Sequence, residues 1–395
     1  MRDIKKIALL AVGDAGWQGG IQYIYNIINS LNAVATERML EIHLFKHPHQ
    51  YFEGFKKFEN LNLVINNLNE ILLPFSFANR IKWFAQRKFH KRIYPRLENY
   101  LVANRFDYVF PARLSNCNGK LNVSSWIADF QYHHFPEGAN KKIIEQAKNV
   151  ISDIALNADK IILSSEYCEK DCLRLFPASK GKTYVMPFAV ALDESIQAFN
   201  DFKSIRSRYS LPEKFMMVAN IFAPTKNHKT LFNALGILKK EGLEIPLVCT
   251  GNIVDYRNEA FANDILQMLT DNRIRGQVHL LGLIPRDHQL ALYRMAIAIV
   301  QPSVNEGWST LVEEAKALGK KLIMSDIEVH QEQYPGNEYM FRSFDAEDMG
   351  NKIKELWQKN AIDEFPKIVE EREALRKYQV EVKTFGNRFL EIAEA

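Results

Sequence analysis

The chain has 395 residues, 47% of them hydrophobic and 25% charged, with a formal net charge of +4. That length exceeds what one hydrophobic core usually supports, so two domains are expected, and the composition is that of a globular protein rather than a disordered or repetitive one. So small a charge gives no argument for nucleic acid as a partner, and without an apolar run of about 18 residues no transmembrane helix is expected.

Six apolar residues, 7–12, form a first core strand; the run is too short for a signal peptide's hydrophobic region, so a cytoplasmic chain is expected. Runs at 42–45, 63–65, 108–110, 126–128, 161–163 and 184–186 continue a first sheet. Runs at 215–219, 246–250, 278–281, 298–300 and 321–324 supply a second. Near-continuous apolar strands separated by helical patterns predict α/β architecture with parallel sheets covered on both faces. Such sheets bind ligands at the carboxyl ends of their strands. The expected domains are 1–190, 191–369 and a terminal helix, 370–395, folding back on the first domain. The join falls near 187–201.

Between these runs, 80–96 carries Arg80, Lys82, Arg87, Lys88, Lys91, Arg92 and Arg96 with no acidic residue, and Ile81, Ala85, Phe89 and Ile93 recur every fourth position. This predicts an amphipathic basic helix, either lying on an anionic membrane surface or packed on the core with a solvated basic face. Cys168 and Cys172 would share a helical face. Neither they nor Cys117 and Cys249 meet a cluster with metal-ligand spacing, so reduced thiols are expected.

Three segments can bear chemistry. The first, Gly13 to Gly20, follows the first strand, and Gly19 and Gly20 would let the backbone approach a ligand at the start of a helix. It lacks the spacing of a dinucleotide fingerprint, and no acidic residue closes the next strand, which disfavours a nicotinamide-dependent oxidoreductase. The second runs from Asn220 to Lys226 and into a helix, where Lys226 can meet a diphosphate as a point charge. The third follows the strand 298–300: Glu306, Gly307, Ser309, Thr310 and Leu311 lead into a helix bearing Glu314. The N–H groups of Ser309, Thr310 and Leu311 would face a phosphate, and Glu314 would accept hydrogen bonds from a ribose diol.

Glu306 to Ala315, then Gly319, then Ser325, Asp326, Ile327 and His330 resemble the signature of the family-four retaining glycosyltransferases, the glycosyl transferases group 1. Gly282 to Pro285 resembles that family's base-contacting turn, here with Leu283 and Ile284. Asn220 to Lys226 resembles its phosphate-binding segment, and Gly251 to Arg257 a further segment of one branch. The resemblance implies a GT-B fold, two Rossmann-like parallel-sheet domains facing a central cleft. It also implies transfer of a sugar from a nucleotide diphosphate sugar to an acceptor hydroxyl with retention of configuration.

In that scheme Glu306 contacts the donor sugar, Lys226 the diphosphate and Glu314 the ribose, and the leaving phosphate helps deprotonate the acceptor. Asp129, Gln131, His133 and His134 lie in a segment similar to the family's sugar- or acceptor-side loop. Ala128 stands where many members have histidine, and Tyr132 at a second histidine position. The arginine that usually precedes the lysine is absent. No Asp-x-Asp occurs, so neither metal nor cofactor is expected. The implied partners are a nucleotide sugar and a glycan or lipid-linked acceptor at the inner membrane face, as in bacterial surface-glycan synthesis. A nucleotide-sugar epimerase of the same fold and a catalytically lapsed sugar-nucleotide-binding protein are the competing readings.

Overall fold

A computed structural model describes residues 4–13, 17–35, 39–50, 52, 58, 60–72, 95–112, 120–136, 139–192, 201–254, 260–360 and 365–395. Cys117, residues 80–94 of the basic stretch, residues 193–200 of the expected join and residues 255–257 of the Gly251 segment lie outside the described residues. Contacts divide the chain into two compact units: Met1–Phe130 with Asn149–Ala191 and Gln379–Ala395, and Gln131–Lys148 with Leu192–Tyr378.

In the first unit β1 (Lys6–Leu10), β2 (Leu40–Lys46), β3 (Leu61–Asn67) and β4 (Tyr108–Phe110) form a parallel sheet in the order β3-β2-β1-β4. Ile7 pairs with Ile42 and Ile42 with Leu63. β5 (Ser125–Ile127), β6 (Ile161–Leu163) and β7 (Thr183–Val185) form a second parallel ladder. The expectation of one continuous first sheet is therefore corrected: among the described residues a single bridge, Val109 to Val123, links the two ladders. Pro111 follows β4 directly and offers no N–H to extend its pairing.

The helix Gln18–Val34 buries Ile24, Ile27, Ile28 and Leu31 at helical spacing. It opens at Gln18, so Gly19 and Gly20 belong to its first turn. The helix Ile368–Glu394 ends in this unit, where Phe389 meets Tyr108 and Phe110 edge-on at 5.6 and 5.4 Å. A Cβ on Gly386 would lie 2.4 Å from the Ser30 carbonyl oxygen, so only glycine lets the two helices come this close.

The second unit holds β8 (Met216–Ala219), β9 (Leu247–Thr250), β10 (Val278–Gly282), β11 (Ala298–Gln301), β12 (Lys321–Ser325) and β13 (Met340–Phe341). All pair in parallel, in the order β10-β9-β8-β11-β12-β13. The two-residue β13 has no periodicity to betray it in the sequence. Met216, Val218, Leu247, Val300 and Ile323 meet Leu231, Leu235, Ile353 and Leu356 in the core. Full burial of each such side chain contributes about 1.5–3 kcal/mol. This is the doubly wound order, with its switch point between β8 and β11, where ligands bind beyond the carboxyl ends of the strands.

Candidate active site

The loops leaving β8 and β11 meet at that switch point. After β8 the chain passes Asn220 and makes a 3-10 turn, Pro224–Lys226, with Pro224 in its first turn. Asn227 then takes φ 51°, in the left-handed region, before the helix His228–Lys240 begins. The sequence opens this helix between Thr225 and His228, and the observed start lies at the end of that range. Its Nζ lies 2.5 Å from Glu306 Oε1. The Val304 N–H donates to the Thr225 carbonyl at 2.9 Å, tying the two loops together.

Behind this ion pair stands Gln301, the last residue of β11 and fully buried. Its Nε2 donates to Glu306 Oε1 at 3.0 Å and to Ser309 Oγ at 2.8 Å, while its Oε1 accepts from Asn220 Nδ2 at 2.6 Å. Sequence reasoning missed this residue, although a polar side chain closing an apolar strand is a signal. At the end of β9, Gly251 has φ 117°, and a Cβ there would sit 2.4 Å from the Asn220 carbonyl oxygen. The Gly251 N–H donates to the Gly282 carbonyl at 2.9 Å, so the ends of β8, β9 and β10 are held together. Leu283 beyond Gly282 is exposed and Ile284 partly buried.

The helix Thr310–Ala317 departs in one respect from expectation. The Ser309 N–H donates to Gln333 Oε1 at 3.1 Å and does not face an open anion site. Gln333 Nε2 in turn donates to the Ser309 carbonyl and to Glu313 Oε1, each at 2.8 Å. Thr310 and Leu311 keep N–H groups that the geometry of a helix start leaves without intrahelical partners. Gly307 is buried within the same turn.

Both carboxylates of the signature are shielded. Glu306 is 10% exposed, and Glu314 is 2% exposed and paired with Arg286. Adjacent Glu313, absent from the sequence reading, is held by Lys316, Gln333 and the Tyr378 hydroxyl; burial nevertheless raises its carboxyl above the usual range. His330 is fully buried, with Nδ1 2.9 Å from Ser325 Oγ and Nε2 without a hydrogen-bond partner. Burial pulls its titration down to about 4, against the field of Glu306. His228, stacked on Phe222 at 4.0 Å, is pulled down to about 3 by burial and then by the charge of Lys226.

The remaining predicted residues are in the segments after β1 and β5. A Cβ on Gly20 would lie 2.8 Å from Gly13, so this glycine closes the turn against its own loop; Gly19 lies beneath the half-exposed Trp17 indole. Asp129 follows β5, and Gln131, His133 and His134 form the short helix Gln131–His134, all partly buried. Among the described residues no cluster of three His, Cys, Asp or Glu side chains could hold a metal ion, and no helix is long and apolar enough to cross a membrane.

Residues 201–381 match the family Glycosyl transferases group 1. The chain is 27% identical over 164 residues to the serotype-specific mannosyltransferase WbdA of Escherichia coli, covering 41% of this chain and 19% of that protein. It is 21% identical over 248 residues to the O-antigen chain mannosyltransferase B of Escherichia coli, covering 60% of this chain and 62% of that protein. The chain thus spans less than two thirds of the length of either relative. Among solved structures, the Anabaena protein HepE in complex with UDP-glucose superposes with a TM-score of 0.64 at 14% identity, over 98% of both chains, and shares the GT-B fold.

Proposed function

From the match of residues 201–381 to the glycosyl transferases group 1 family, we propose that the chain transfers a hexosyl residue from a nucleotide diphosphate sugar to a glycan hydroxyl with retention of anomeric configuration. The observation that carries this reading is the Lys226–Glu306 pair at the β8/β11 switch point. As the glycosidic bond to the diphosphate breaks, positive charge grows on the sugar ring and negative charge on the leaving phosphate. A cation fixed before the reaction starts is the most effective stabiliser of that leaving group. Lys226 has this role, with the N–H groups of Thr310 and Leu311 beside it, and Glu306 faces the sugar. Glu314 accepts from the ribose. The names of the two Escherichia coli relatives favour mannose as the sugar and a growing surface polysaccharide as the acceptor.

The test is thermal stability with UDP, GDP, ADP, dTDP and CMP, followed by product analysis with the sugar form of whichever nucleotide binds. A ligand at about 100 times its dissociation constant stabilises by roughly 2.7 kcal/mol. One diphosphate should raise the melting point, and the new glycosidic bond should keep the donor's anomeric configuration by NMR. Product forming from the donor alone would make the protein an epimerase instead. Absence of any shift would remove the donor site.

A further inference from the structure

Removing a carboxylate from water as completely as Glu314 requires partners that hold it. One comes from the helix Arg286–Met295, which begins directly after the turn at the end of β10. Arg286 Nη2 donates to Glu314 Oε1. Tyr293, two turns further along the same helix, lies within the field of the Glu314 charge, and its hydroxyl accepts from Gln289 Nε2 at 3.0 Å. Burial, and after it the Glu314 charge, pushes the Tyr293 titration well up, so this hydroxyl remains a donor. Arg286 itself is 38% exposed.

We infer that Arg286 is a positioning residue for the nucleotide's sugar: it fixes the Glu314 carboxylate so that the site prefers ribonucleoside diphosphates to their 2′-deoxy counterparts. The inference rests on the ribose reading of Glu314. A carboxylate has about four lone-pair sites, so Arg286 leaves acceptor capacity for a diol. The planar guanidinium fork sets the direction of those remaining lone pairs, which a flexible ammonium cannot do equally well. Where a buried acceptor is held in place, a ligand lacking the matching hydroxyl leaves it unpaired, and discrimination follows.

The experiment is calorimetric titration of UDP, GDP and ADP, each against its 2′-deoxy form, into wild type, Arg286→Gln and Arg286→Lys. For the nucleotide that binds, wild type should prefer the ribose form at least tenfold. Arg286→Gln should bring that ratio close to one while changing affinity for the deoxy form little, and Arg286→Lys should fall between. Equal weakening of both forms would place Arg286 on the phosphates or the base and overturn the inference. Should the glutamine variant not fold, a wild-type ratio in Arg286→Lys overturns it as well. No binding to wild type by any nucleotide would instead defeat the donor-site reading, and the inference with it.

Discussion

Lys226 Nζ and Glu306 Oε1 lie 2.5 Å apart although eighty residues separate them in the chain. The parallel sheet brings the two loops together: β8 and β11 are neighbours, and everything between them is routed through β9 and β10 on the far side. Glu306 is oriented from both sides, by Lys226 and by Gln301 Nε2. A cation held this way is in place before a diphosphate arrives, and little reorganisation is left for the reaction itself.

Replacing Lys226 with alanine is therefore expected to lower turnover roughly 100- to 1,000-fold, the range found when one preorganised donor to a developing negative charge is lost. Nucleotide affinity should change much less, because the interaction strengthens as charge develops on the leaving group. Steady-state kinetics with the donor named by the nucleotide panel, set beside calorimetric binding, separates the two effects. Wild-type turnover in the variant would remove Lys226 from the diphosphate.

Gly251 supports the same site through the backbone. Its φ of 117° excludes a side chain, and so does the 2.4 Å that would separate a Cβ at this position from the Asn220 carbonyl oxygen. Gly251→Ala should destabilise the second unit by about 2–4 kcal/mol, from positive-φ strain together with a forced shift of the β8 loop. Urea unfolding checks this, and a loss below about 0.5 kcal/mol would mean the loop yields easily.

Much of this was legible in the sequence, and what was not has a physical reason. Near-continuous apolar runs such as 298–300 announce parallel strands because both faces of the sheet are covered. Spacing from Glu306 to Glu314 places one in a loop and the other in a helix, as observed. Gln301, Gln333 and Arg286 escaped because each acts through a partner 5 to 28 positions away, at distances that no local periodicity encodes. The occupied N–H of Ser309 escaped for the same reason, since its acceptor lies 24 residues further on.

Arg294 and Glu371 form an ion pair at 2.8 Å that is 1% and 4% exposed, with the guanidinium over the Phe202 ring at 4.8 Å. Removing one partner leaves the other charge buried without its counterpart, so Arg294→Met should cost about 3–5 kcal/mol. The double replacement Arg294→Met with Glu371→Leu should recover most of that loss, because it removes both charges and keeps the volume. Chemical denaturation of the three variants measures the coupling; purely additive losses would show that the pair does not act as a unit.

Acid should unfold the second unit through its buried histidines. His228 and His330 titrate at about 3 and about 4 when folded, both lowered from 6.5, so between those values and 6.5 the unfolded chain binds more protons. Stability then rises with pH across this window and is lost as pH falls through it. Each group contributes up to about 1.4 kcal/mol per pH unit. Glu313 works the other way: its raised carboxyl takes up a proton on folding just above 4.5, which offsets at most about one such contribution. A net fall of between roughly 1.4 and roughly 2.8 kcal/mol per pH unit is expected from pH 6 to pH 4.5, measured by urea unfolding at each pH. In His330→Gln the slope should lessen by about the contribution of one histidine, whereas an unchanged slope would show that His330 does not remain uncharged in the folded protein.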